Sequence, residues 1–125
     1  MPDWNFRWVC PHWEFLHYQE DAPEIPFAER SRESASTFLN LMNPLTHNVD
    51  VRVEFFDSLG NVDVRFGLEG IVSGHAVWKY RVDTGGPNFP KPPAGVKVNA
   101  QGWFQVLASH RLHISAHVTA SAVRT

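Results

Sequence analysis

The sequence predicts an all-β fold, a single-domain antiparallel β-sandwich of the immunoglobulin or jelly-roll kind, and three observations carry that expectation. Apolar and charged residues alternate strictly from Val49 to Phe55, and the alternation resumes from Val62 to Phe66. More runs of strand length follow at short spacing, divided by Gly, Pro, Asn and Ser. No stretch shows the spacing of an amphipathic helix, and no repeat is present. The 125 residues suit one domain, 1–125, long enough to bury an ordinary core.

Residues 1 to about 30 form an aromatic-rich N-terminal segment: Trp4, Phe6, Trp8, Trp13, Phe15 and Tyr18 crowd together. Trp4, Phe6 and Trp8 alternate with Asn5 and Arg7, so a short strand is expected, which Pro11 ends or confines to an edge. Pro23 and Pro26 favour an extended loop, because each pushes its predecessor out of the α region. Ser36 to Met42 is a strand candidate ending in the turn starter Asn43-Pro44. Val49–Phe55 and Val62–Phe66, joined across a Gly-Asn break, read as a hairpin with Val49, Val51, Val53 and Phe55 on its dry face.

Beyond Gly74, Ala76, Trp78, Tyr80 and Val82 share one strand face, and His75, Val77, Lys79 and Arg81 the other. Asp83 to Gly95 carries Pro87, Pro90, Pro92 and Pro93 and is the longest irregular loop. Runs at 102–109 and 112–119 complete six or seven strands.

Composition narrows the function classes. The formal charge is −2, with no basic excess to grip a duplex, so nucleic acid is not an expected partner. The N-terminus lacks the basic and apolar regions of a secretory signal, and no run reaches a membrane span. The lone Cys10 can form no internal disulfide, which suits a reducing compartment; the chain reads as cytoplasmic.

No catalytic set emerges. His113 and His117 share a strand face with Ser115, but four residues along a strand is about 13 Å, too far for one metal at its ordinary ~2 Å ligand distance. Cys10 and His12 flank Pro11, which forbids a helical turn bringing thiol to imidazole. Asp50, Glu54 and Asp63 stand near Arg52 and Arg65 as cross-strand ion pairs would. Neither enzyme activity, metal nor cofactor is expected. The aromatics suit either of two roles: packing and subunit contact, or stacking on a ligand. A ligand is expected at the proline-stiffened loop, with Trp78, Tyr80 and Phe89 as aromatics and Arg81 and Lys91 as donors to sugar hydroxyls or acidic groups. A loop that merely crosses between sheets is the plainer alternative.

The order of these features resembles the sensory rhodopsin transducer family, the soluble transducer of cyanobacterial sensory rhodopsin and its prokaryotic relatives. The matching residues are Trp8, Pro23-Glu24, Ser31-Arg32-Glu33, Leu39-Asn40, Val49 to Phe56, Val72 with Tyr80-Arg81-Val82, Pro87 to Pro93, and Ile114 to His117. Two departures stand out: the N-terminus is richer in aromatics, and Val118-Thr119-Ala120-Ser121-Ala122 replaces the family's charged segment after the terminal His. The resemblance implies a homo-oligomeric, tetrameric β-sandwich without enzymatic activity, which binds a membrane receptor, a small ligand such as a sugar, or DNA. The expected function is therefore a non-enzymatic binding or signal-relay module. The alternative is a structural or assembly subunit, such as a virion or sheath component.

Overall fold

The structure, a computed structural model, describes residues 3–83 and 90–123. Its strands are β1 (Phe6–Gln19), β2 (Arg32–Met42), β3 (Val49–Asp57), β4 (Leu68–Val72), β5 (Val77–Arg81), β6 (Val98–Ala108) and β7 (His113–Val123). All pairings are antiparallel and belong to one sheet of order β4-β3-β6-β1-β2-β5, with β7 on the other edge of β2. The sheet is nearly closed into a barrel, so the expected all-β antiparallel class holds. Within the loop that Pro23 and Pro26 interrupt lies a single 3₁₀ turn, Phe27–Glu29, entered from Pro26.

The aromatic N-terminal segment is one long strand woven into the sheet. Pro11 neither ends β1 nor confines it to an edge, because the register against β6 shifts between Cys10 and Trp13. A bulge is where a strand tolerates a residue without an N–H. The shift also changes which residues face inward. Phe6, Trp8 and Cys10 pack against the core before it, and Trp13 and Phe15 are buried after it. At its far end β1 exchanges partners, pairing Leu16–Gln19 with Ala35–Arg32.

β3 buries Val49, Val51, Val53 and Phe55 and leaves the residues between them partly exposed, as its alternation predicts. The second arm of the hairpin differs from expectation. Val62 makes one isolated bridge to Phe56, Val64 is exposed, and the arm that pairs with β3 is β4, starting at Leu68. Two aspartates explain the displacement. The Asp57 carboxylate accepts the N–H groups of Leu59 and Asn61, both at 2.9 Å, and the Asp63 carboxylate accepts Arg65 N–H at 3.2 Å. Such side chains offer the backbone local turns that compete with a ladder. Bonds led by the Asn61 N–H hold the Asp57 carboxyl below its ordinary range.

An aromatic group fills the centre. Trp13 lies 5.0 Å from Phe55 and 5.3 Å from Phe66, ring centre to ring centre, and Phe104 lies 5.3 Å from Phe55. The first two contacts are edge-on, the arrangement the ring quadrupoles favour. The Trp13 indole N–H is also satisfied, donating to Phe56 O at 2.8 Å. Outside the same sheet a polar row crosses four strands. Arg52 reaches Glu69 at 3.3 Å and Glu54 at 3.4 Å, Gln105 donates to Glu54 at 2.9 Å, and Arg7 donates to Gln105 at 2.6 Å.

β4 and β5, the two ends of the sheet path, are consecutive in sequence but share no ladder. Side chains close the seam between them. The fully buried Asn43 donates through Nδ2 to Val72 O at 3.0 Å, His47 O at 2.8 Å and Ser73 O at 3.2 Å, while its Oδ1 accepts Leu45 N–H. Tyr80 donates its hydroxyl to Phe66 O at 2.9 Å. Trp78 lies over Gly70, where a Cβ would sit 3.0 Å from the indole ring.

Candidate functional site

Of the residues expected from the sequence to bind a ligand, Trp78 and Tyr80 lie on one face of β5 and Arg81 on the other. Trp78 and Tyr80 turn toward the core and serve the seam. Burial, with a smaller contribution from Asp83, pushes the Tyr80 phenol up to about 12, so it stays a neutral donor at physiological pH. Arg81 stands on the opposite face of β5, exposed, 5.4 Å from the Phe38 ring centre and 3.5 Å from the Asp83 carboxylate. Lys91 is exposed, and Phe89 lies outside the described residues.

The end of the proline-bearing loop instead docks on β1. Gly95 adopts φ +84°, a conformation that suits glycine, and donates its N–H to Gln19 O at 2.7 Å. Two residues later Lys97 Nζ lies 3.2 Å from Glu33 Oε2. Glu33 is directly opposite Tyr18 in the β1–β2 ladder, so the two side chains emerge on one face. The turn joining the strands is tied at its base: Glu20 N–H donates to Ser31 O at 2.9 Å, and Ser31 N–H donates to Glu20 Oε2 at 2.8 Å.

Two cavities lie against this ladder, on its opposite faces, and both touch Tyr18 and Glu33. One, of about 350 Å³, is lined by Tyr18, Glu20, Ser31, Glu33 and Lys97. The other, of about 360 Å³, is lined by His17, Tyr18, Gln19, Arg32, Glu33, Ser34 and Ser121. Within its wall the Gln19 Nε2 is buried without a hydrogen-bond partner. The first cavity, on the Tyr18–Glu33 face, therefore offers one phenol ring, two carboxylates, one cationic side chain and one hydroxyl. Both carboxylates already have partners, Ser31 N–H for Glu20 and Lys97 for Glu33. That set can hold a neutral polar ligand by complementary hydrogen bonds.

The other candidates sit elsewhere. His113, Ser115 and His117 occupy the exposed face of β7, and the His117 ring stacks on Phe38 with centres 5.0 Å apart. Cys10 is half-buried, with Sγ 3.3 Å from the His12 carbonyl oxygen. Among the described residues no group of three or more His, Cys, Asp or Glu is placed to hold a metal ion, and no helix is long and apolar enough to cross a membrane.

In the sequence Tyr18 stands out only as one of the clustered aromatics and Glu33 only within Ser31-Arg32-Glu33, and nothing marks Lys97. No local spacing joins positions 18, 33 and 97. The strand register of β1 with β2 and the docking of Gly95 join them. No family model, curated protein or solved structure matches this chain.

Proposed function

We propose that the protein is a non-enzymatic binding or signal-relay module that takes a neutral, sugar-like ligand at the Tyr18–Glu33–Lys97 corner. The observation that carries this reading is a cavity of about 350 Å³ at an aromatic–carboxylate pair fixed by strand register. A phenol ring supplies an apolar face for the C–H side of a sugar ring, and the surrounding donors and acceptors suit its hydroxyls. Charges of both signs in the same corner favour a neutral ligand over an ion.

The finer architecture belongs to the same proposal: an immunoglobulin or jelly-roll-like sandwich, with β4-β3-β6-β1 as one layer and β5-β2-β7 as the other. So do a cytoplasmic setting, inferred from the lone Cys10, and self-association as a tetramer. The resemblance to the sensory rhodopsin transducer family adds a membrane receptor as a partner for the relay role. One observation favours the alternative of an assembly subunit, the long open edge of β7.

Titration with a panel of neutral mono- and disaccharides, followed by amide chemical shifts, tests the ligand reading. Millimolar binding with shifts at residues 17–20, 31–34 and 97 is expected, and Tyr18→Ala should abolish it while leaving the remaining spectrum folded. Absence of binding across the panel, or binding untouched by Tyr18→Ala, would overturn the assignment.

A further inference from the structure

We infer that β7 is a self-association edge, pairing antiparallel with β7 of a second copy about a two-fold axis to make one continuous sheet across the dimer. The inference gives a surface to the self-association proposed above and is independent of any ligand at the corner. It rests on how this edge differs from the others. β7 runs eleven residues, His113–Val123, and pairs with β2 over its whole length without a shift of register. Among the described residues nothing pairs with its outer edge. Soluble proteins guard such edges by shortness, by Lys or other charge, by Pro, or by a bulge. β7 has none of these: from His113 to Val123 there is no Lys, Arg, Asp, Glu or Pro. The other edge strands are guarded. β4 and β5 are five residues each, Glu69 stands on the first, Lys79 and Arg81 stand on the second, and both abut the seam.

The row of outward N–H and C=O groups on a flat edge is met by another extended strand. A second copy of β7 fits for two reasons. Its length is the same, so the whole edge is covered. It also contributes no fixed charge, so self-pairing brings no like charges together, whereas a charged strand would find no complementary partner along the edge. The register that uses the full strand sets Val118 opposite its own copy, His117 opposite Thr119, Ala116 opposite Ala120 and Ser115 opposite Ser121. Partners then share parity, so the core-facing row of one copy continues that of the other. Ala120 and Ala122 are exposed and small, and leave room for the neighbouring strand. An edge about 36 Å long joins less surface than a standard interface, so the dimer should be concentration-dependent, forming in the tens to hundreds of micromolar.

Two measurements test it. Sedimentation equilibrium of the full chain should show reversible dimers or larger even-numbered assemblies. Thr119→Lys combined with Ser121→Lys, both at exposed positions on the outer face, should return the monomer, while a control lysine at the exposed Gln101 of β6 leaves association unchanged. Because a lysine pair could also disturb folding, hydrogen exchange of the unaltered chain is followed across a dilution series. Amides within 113–123 should gain at least tenfold protection at high concentration, and those of β4 and β5 should not. A wild-type chain that remains monomeric at hundreds of micromolar overturns self-association itself. Association that survives the double lysine variant, or exchange at 113–123 that ignores concentration, overturns β7 as its site.

Discussion

Asn43→Ala should be among the most damaging single truncations in this chain. Asn43 is fully buried, and its amide serves three backbone carbonyls on two sides of the seam while its Oδ1 takes the Leu45 N–H. Each bond contributes about 1 kcal/mol net, and a buried carbonyl left without a partner adds about 1–3 kcal/mol. Removing the amide should therefore cost about 3–5 kcal/mol, a large share of the 5–15 kcal/mol typical of a domain. At about 3–5 °C per kcal/mol for a chain of this length, the melting temperature should fall by at least about 10 °C. Urea unfolding followed by tryptophan fluorescence measures the loss, and hydrogen exchange locates it: amides of β4 and β5 should lose protection before those of β6. Asn43→Asp separates the role of the donor from that of shape. It retains an acceptor for Leu45 but turns a carboxylate toward carbonyl oxygens, so it should be at least as damaging at neutral pH and partly recover as the pH falls and the acid gains a proton. A loss under about 1 kcal/mol for Asn43→Ala would show that the seam is held by packing alone, and the reasoning would fail.

Gly102→Ala should be equally severe for a steric reason, because a Cβ there would fall on the Phe56 carbonyl, the same oxygen that accepts the Trp13 indole N–H; unfolding at well below the wild-type denaturant midpoint is expected, and a midpoint within error of wild type would refute the close approach. Tyr80 ties stability to alkaline pH. Its folded value, raised from 10.0 to about 12, means that the unfolded chain releases the phenol proton first. Its contribution is complete below pH 10 and is lost as the pH climbs through 12, by up to about 2–3 kcal/mol. Tyr80→Phe should cost about 1 kcal/mol near neutrality, for the bond to Phe66 O, and should flatten that alkaline loss; parallel pH profiles for the two proteins would contradict it.

The parts of the fold legible in the sequence are those set by period. Val49, Val51, Val53 and Phe55 announce their burial by alternation, and Trp78, Tyr80 and Val82 their inward direction by facing away from Val77, Lys79 and Arg81. The illegible parts depend on events that period does not encode. Val62, Val64 and Phe66 alternate as a strand would, yet side-chain bonds from Asp57 and Asp63 turn the chain and only Phe66 reaches the core. Pro11 reads as a strand terminator, but a bulge absorbs it and exchanges the inward parity of β1. Two members of the expected ligand set are parted for a similar reason. Tyr80 and Arg81, neighbours in sequence, are on opposite faces of one strand, and the phenol of Tyr80 already serves Phe66 O.

The aromatic excess takes its meaning from the same bulge. An N-terminal cluster of tryptophans in a small chain suits either packing and subunit contact or stacking on a ligand. Once β1 crosses its bulge, however, Trp13 and Phe15 belong to the core and Trp8 packs 5.8 Å from Phe104. Trp13, Phe15, Phe55, Phe66 and Phe104 fill the centre of the nearly closed sheet together with Leu39, Leu41 and the buried valines. What remains for the proposed recognition is a corner where Tyr18, Glu33 and Lys97 meet through register, and a backbone edge on β7 without charge. β2 carries Glu33 of the corner and pairs with β1 at one end, β5 at the other and β7 along its length. Occupation of the β7 edge would therefore be felt at Ser121, beside Ser34 in the wall of the second cavity. A single strand that borders the seam, the corner and the edge is the element through which binding at one could bias another, provided that ligand and partner strand each favour the same arrangement of β2.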